Sequence, residues 1–248
     1  MTAAPAPLPG LTFNRWPSLP RLEDFKLAAF DMDSTLINIE CVDEIAAAAG
    51  RKGEVAAITE AAMRGEIADY KESLRQRVRL LAGVPEAALV EVFEHRLQLN
   101  LGVETFMAAL QAAGVRTLLV SGGFTFFSDR IRQRLKMDFS RANVLEVRHG
   151  LLTGRMVDQP WGDIVDGLEK RRTVLDLCDL MGISPAQAMA VGDGANDLPM
   201  MDAVGLSIAF HAKPAVRTLA RVSITEGGMD RALEAFSPST APRFSPDA

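Results

Sequence analysis

Five short apolar runs, Phe25 to Phe30, Arg116 to Val120, Gln187 to Val191, Leu206 to Phe210 and Arg221 to Thr225, each break off abruptly into polar or glycine-rich sequence. Runs of this length and composition form buried strands. Helical patterns stand between them, at Val103 to Ala113, Phe124 to Lys136 and Lys170 to Met181. Strand and helix in alternation predict an α/β core, a doubly wound parallel sheet covered by helices on both faces. Open sheets of this kind bind ligands outside the carboxyl ends of their strands, so the residues just past each run are the candidates for function.

The segment from about Cys41 to Asn100 breaks the alternation. It carries one helix-period pattern after another, with stops at Gly50 to Gly53, at Gly65 and at Val84-Pro85. Following the first strand directly, it is expected to sit over that strand's carboxyl end as a cap. A second irregularity, NVLEVRHGLLTGRMV from Asn143, predicts a hairpin turning at His149-Gly150, with a further glycine at 154. The expected organisation is a flexible lead-in over 1–24, a core formed by 25–38 and 101–236, a helical cap over 39–100, and a disordered tail over 237–248. Pro and small residues dominate both ends.

Composition excludes several classes. A formal net charge of −5 with no block of like charge offers no footprint for nucleic acid or an anionic membrane. No apolar run approaches the roughly 18 residues of a membrane span, and the N-terminus lacks the basic and apolar regions of a signal peptide. Cys41 and Cys178 stand far apart, in no metal-ligand spacing, which suits free buried thiols in a reducing cytoplasm.

Three strand ends carry chemistry. FDMDSTLI places Asp31 and Asp33 two apart just past the first strand. Two carboxylates at one mouth are costly unless used; one suits a nucleophile and the other a general acid and base, with a hard cation offsetting the repulsion. Helix-capping aspartates are the plainer alternative. VGDGANDLPMM groups Asp193, Asn196 and Asp197 around two glycines expected to let the backbone turn sharply. Oxygen donors on such a loop suit Mg2+. A dinucleotide loop is disfavoured, because an acid stands where that fingerprint needs Gly or Ala. LLVSGGF ends a third strand with Ser121, Gly122 and Gly123 before a helix expected near Phe124, a combination that makes a phosphate cradle. Lys170 is placed to supply a fixed cation over the same edge, although Arg171 and Arg172 beside it are equally consistent with a solvated face.

DMDST, SGGF, an upstream lysine and GDGAND, in this order, resemble the motifs of the haloacid dehalogenase superfamily of phosphohydrolases. The likeness runs from about Phe25 to about Leu233. It includes the cap sequences DEIA, ITEAAM-x-GE and SL-x-x-RV, and then LTG and HAKP. These flanking sequences resemble the branch that hydrolyses O-phospho-L-serine to L-serine, the last step of L-serine biosynthesis.

The resemblance implies a Rossmann-like core with a small helical cap, Asp31 as nucleophile and Asp33 as general acid and base. It implies Mg2+ held by Asp31, the backbone carbonyl of Asp33, and Asp193, with Asn196 and Asp197 supporting metal and substrate. Ser121 and Gly122 match the phosphate turn, and Lys170 the motif lysine. Glu40 matches the acid that meets the substrate ammonium, and Arg77 the arginine that meets its carboxylate; Met63 and Tyr70 match apolar wall positions. The chain departs from the family pattern by one extra residue between Gly65 and Ser73 and by Tyr70 where Phe is usual. About 24 residues precede the first strand, so feedback through the family's N-terminal regulatory domain is not expected.

A small-molecule substrate is therefore expected, with no nucleic-acid or membrane partner, for a monomer or homodimer. The same chemistry would serve another substrate, such as histidinol phosphate, or transfer to an acceptor. The Glu40 and Arg77 pair argues for a zwitterion. A receiver-like phospho-aspartate signalling module is a non-enzymatic alternative, opposed by the long cap and Lys170. A transport ATPase would need membrane spans.

Overall fold

A computed structural model of the chain describes residues 9–14, 19–63, 69–160, 162 and 164–237, without the side chains of 60–63. In chain order, β1 (Leu11–Phe13) and β2 (Leu27–Phe30) come first. Helices α1 (Cys41–Ala48), α2 (Lys52–Met63), α3 (Tyr70–Arg79) and α4 (Ala87–His95) follow, and then α5 (Val103–Ala112), β3 (Arg116–Phe124) and α6 (Thr125–Leu135). The chain continues through β4 (Phe139–Arg148), β5 (Leu151–Val157), α7 (Gly167–Met181), β6 (Ala188–Gly192), α8 (Leu198–Asp202), β7 (Leu206–Phe210), α9 (Pro214–Leu219) and β8 (Val222–Ile224). The eight strands form one sheet in the order β1-β8-β7-β6-β2-β3-β4-β5, with β1 and β5 antiparallel to their neighbours and the rest parallel.

Alternation along the central strands sorts the core into two layers. Phe30, Leu119, Val191 and Ile208 face one side, with Phe106, Leu110, Phe127 and Ile131 of α5 and α6. Leu27, Ala29, Val120 and Ala190 face the other, against Val174 and Cys178 of α7 and Met200 and Met201 of α8. The alanines on this second face let α7 lie close to the sheet, which bears on the position of Lys170. Strand β2 sits between β3 and β6, with Phe30 opposite both Leu119 and Val191. The residues that follow these three strands therefore emerge side by side at one edge.

Helices α1 to α4 stand between β2 and β3. Asn100 clamps the start of this insert, its Nδ2 donating to the carbonyls of Thr35 at 2.8 Å and Ile37 at 3.0 Å. The β4–β5 hairpin reaches up and props it from the side. Leu152 donates to the Val84 carbonyl at 2.8 Å, Gly83 to Leu152 at 2.8 Å, and Glu86 to Gly150 at 2.9 Å. Gly154 (φ 79°) is needed there, since a Cβ would come within 2.9 Å of the Ala82 side chain and 3.0 Å of the Arg79 carbonyl.

Three expectations change. Residues 1–24 are not wholly a lead-in, because Leu11–Phe13 pairs antiparallel with Val222–Ile224 and covers the edge of β8. Strand β3 continues through SGGF to Phe124, so the helix opens at Thr125. Gly192 and Gly194 do not serve a left-handed turn; they are small because a Cβ at Gly192 would overlap the Asp197 carboxylate and one at Gly194 the Asn196 amide oxygen. The stop at Gly65 and the tail over 238–248 lie outside the described residues. No helix among the described residues is long and apolar enough to cross a membrane.

Candidate active site

A cleft of about 800 Å3 opens between the sheet edge and the helical insert. On the core side it is lined by Asp31, Asp33, Ser121, Gly122, Asp193 and Asn196, and on the cap side by Glu40, Asp43, Tyr70, Ser73, Leu74 and Arg77. Tyr70, Ser73, Leu74 and Arg77 follow the i, i+3, i+4, i+7 spacing of one helix face, which is how α3 turns them together toward the cleft. Met63 ends α2, and its side chain lies outside the described residues.

Lys170 lies in the first turn of α7 and is fully buried, not part of a solvated face. Its ammonium stands 2.6 Å from Asp31 Oδ1 and 2.7 Å from Asp197 Oδ1. Burial works against that cation, but the Asp197 and Asp31 charges hold its pKa above the usual lysine value. Asp197 uses its other oxygen to accept from the backbone N–H groups of Asp193 at 3.1 Å and Gly194 at 3.0 Å. Both of its oxygens are thus engaged, and it braces the loop that carries Asp193.

The carboxylates crowd one another. Burial, and then the Asp197 charge, push Asp31 well above the usual carboxylate range against the pull of Lys170. Burial and Asp197 raise Asp193 to about 6, opposed by the Thr35 hydroxyl, which donates to Asp193 Oδ1 at 3.0 Å. Burial, with the Glu40 charge adding to it, raises Asp33 to about 7. Asp33 Oδ2 accepts from the Cys41 N–H at 3.1 Å, an amide that the first turn of α1 leaves without a helical partner, while Oδ1 is enclosed and has none. Four aspartates around one ammonium leave an excess of negative charge that a cation would offset. Asp31, Asp193 and Asp197 each offer an oxygen within 4.8 Å of the others. With Asp197 held by Lys170 and the loop amides, Asp31 and Asp193 are the better ligands. This oxygen-only donor set fits Mg2+.

Ser121 Oγ accepts from the Gly123 N–H at 2.9 Å and shapes the SGG turn that the resemblance matches to phosphate binding. Asn143 pins that turn from behind, donating to the Gly122 carbonyl at 2.8 Å and accepting from the Val165 N–H at 2.9 Å. A side chain at Gly123 would come within 3.3 Å of Asp33 Oδ2, so the turn and the acid share one space. From the core side, Ser34, itself in a left-handed turn (φ 57°), donates from Oγ to Oε1 of Glu40 at the start of the cap, at 2.8 Å. Arg77 Nε is enclosed without a hydrogen-bond partner, as is Asp43 Oδ1.

The geometry brings Asp31, Asp33, Glu40, Tyr70, Arg77, Ser121, Gly122, Lys170, Asp193, Asn196 and Asp197 to one cleft or its floor. Sequence reasoning missed Thr35, Asn143 and Asp43. Thr35 sits inside DMDST and Asp43 inside DEIA, so their motifs were a signal. Asn143 carried none, because its role depends on β3 and β4 lying together.

The family model for haloacid dehalogenase-like hydrolases matches residues 25–205. A phosphoserine phosphatase of Albidiferax ferrireducens is 66% identical over 230 residues, covering 93% of this chain and 97% of the relative. One from Polaromonas sp. is 67% identical over 227 residues, covering 91% and 96%. A solved structure of a phospho-aspartyl intermediate analogue of phosphoserine phosphatase superposes with a TM-score of 0.78. It is 36% identical and covers 86% of this chain and 99% of the other.

Proposed function

The chain belongs to the haloacid dehalogenase-like hydrolases, and from that premise we propose that it hydrolyses O-phospho-L-serine to L-serine and phosphate through a phospho-aspartate on Asp31. It is a phosphoric monoester hydrolase. The observation that carries the substrate is the pairing, across one cleft, of the aspartate floor with Glu40 and an enclosed, partnerless Arg77 Nε on the cap. A buried guanidinium N–H without an acceptor is costly, and a substrate carboxylate supplies that acceptor.

Lys170 holds Asp31 by one oxygen and leaves the carboxylate directed into the cleft. Asp31 attacks phosphorus in line, forming an Asp31–phosphorus bond as the phosphorus–serine oxygen bond breaks. Asp33, whose raised pKa keeps a proton available near neutrality, gives that proton to the departing serine oxygen. It then takes a proton from the water that attacks phosphorus, the Asp31–phosphorus bond breaks, and Asp31 is regenerated. Asp31, the Asp33 backbone carbonyl and Asp193 would hold Mg2+, which supplies charge neutralisation for the phosphoryl oxygens. The helical cap excludes bulk water during the first step. The buried free thiols Cys41 and Cys178 support a reducing, cytoplasmic setting.

A panel of phosphate esters assayed for phosphate release with Mg2+ tests the assignment. Phosphoserine should be turned over with far higher kcat/KM than histidinol phosphate or simple phosphomonoesters. Equal efficiencies across the panel would remove the amino-acid specificity.

A further inference from the structure

Tyr70 is the only tyrosine of the chain, and it stands at the first position of α3, where Asp69 caps the helix by accepting from the Lys71 N–H at 3.0 Å. Its hydroxyl lies directly against Gly122: a Cβ at that glycine would overlap it. The phenol therefore reaches from the cap onto the phosphate turn, further than an apolar wall residue needs to. Lys71, the next residue, stands 3.5 Å from Asp166 at the start of α7, so this end of α3 rests on the core in the described arrangement. Burial pushes the phenol up to about 12, so it keeps its proton at neutral pH. Among the described residues the hydroxyl has no hydrogen-bond partner, although it lines the cleft. It is a proton donor, held by the cap against Gly122.

We infer that the Tyr70 hydroxyl donates a hydrogen bond to the phosphoryl group of the bound substrate. The cap then reads the phosphate as well as the amino-acid end. Arg77, two helical turns along the same face, serves the other end of the molecule. Closure of α3 onto the core is thereby coupled to occupancy of the phosphate turn, through a group that phenylalanine lacks.

This rests on the assignment of the cleft to a phosphate ester, and the test separates the two. Inorganic phosphate and L-serine are used as separate inhibitors of wild-type protein, Tyr70→Phe and Arg77→Ala, with Mg2+ present. A hydrogen bond to an anion corresponds to about a ten- to hundredfold loss when removed. Tyr70→Phe should raise the inhibition constant of phosphate about tenfold or more and leave that of L-serine unchanged, whereas Arg77→Ala should do the reverse. Phosphate inhibition unchanged by Tyr70→Phe, in an enzyme that turns over phosphoserine, would overturn the inference alone. So would a Tyr70→Phe loss confined to L-serine. Wild-type protein that is inert toward phosphoserine but hydrolyses another phosphate ester, with phosphate inhibiting that hydrolysis at least tenfold more weakly in Tyr70→Phe, would overturn the substrate and keep the donor.

Discussion

The floor and the roof of the cleft are built on opposite plans. On the floor, polar groups interlock: Lys170 ties Asp31 to Asp197, Asp197 ties two loop amides, and Asn143 ties Gly122 to Val165. On the roof, Arg77 Nε and Asp43 Oδ1 are enclosed without partners, and the Tyr70 hydroxyl stands against Gly122 unpaired among the described residues. A preorganised floor suits the part of the reaction common to every phosphate ester, because fixed charges need no rearrangement as bonds change. Unpaired groups on a separate helical element suit the part that differs between substrates, since only the correct ligand completes them.

The largest effects should come from the floor. Asp31→Asn should reduce phosphate release below detection while leaving the thermal unfolding midpoint near that of the wild type, since the amide keeps the shape but removes the nucleophile. Multiple turnovers by this variant would remove Asp31 from its role. Exhaustive chelation should likewise silence the enzyme, with Mg2+ restoring it and Ca2+ inhibiting, because the larger ion takes a looser and more numerous oxygen shell. Full activity in a metal-free preparation would break the reading of Asp31 and Asp193 as ligands.

Asp33→Asn should be milder, lowering kcat by about 10²- to 10⁴-fold, the contribution of proton transfer. Esters with a good leaving group should lose less in the first step, and a pre-steady-state comparison of such an ester with phosphoserine measures this. An equal loss for both would assign Asp33 to the fold of the loop instead.

The roof should yield smaller and more selective losses. Arg77→Ala should lower kcat/KM for phosphoserine by roughly ten- to a hundredfold, through about 1.5 to 3 kcal/mol of charge-assisted hydrogen bonding. A small neutral phosphate ester should change far less, and Glu40→Gln should follow the same pattern. Equal losses on both substrates would make these residues supports of the cap and erase the contrast between floor and roof.

The smallest effect belongs outside both regions. Burial disfavours the Asp138 carboxylate, but the Thr117 N–H at 2.8 Å, Arg116 at 2.6 Å and the Thr117 hydroxyl hold its pKa below the usual value. A depressed pKa contributes stability that is present above the unfolded-state value, near 3.8, and lost as pH falls through the folded value. Asp138→Ala should therefore cost about 1 kcal/mol at neutral pH, with the difference from wild type shrinking below about pH 4, as chemical denaturation across pH would record.

Much of the site was legible because its residues sit at strand ends. Asp31, Ser121 and Asp193 each follow an apolar run, and the parallel sheet brings such positions to one edge. The cap was legible as an unbroken series of helix-period patterns. Strand β1 was not, because three residues cannot display a period and its partner lies more than two hundred positions away. The glycines of GDGAND were visible as glycines but not in their role, since the obstacle is the side chain of Asp197 or Asn196 folded back over the loop.

The amino-acid sequence by itself determined the α/β alternation, the helical insert and the acidic character of the strand ends, since these depend on residue type and on spacings within a few turns or strands. Only the tertiary structure decided which of three adjacent basic residues is the buried cation. Lys170 is enclosed because α7 lies close on the alanine face of the sheet, with Asp31 and Asp197 converging on its ammonium; Arg171 and Arg172 point elsewhere and remain accessible. The same holds for the Tyr70 hydroxyl, which meets Gly122 across 52 residues of chain. Local pattern sets what each segment becomes, but contact between distant polar groups depends on strand order and helix seating, which no short-range spacing encodes.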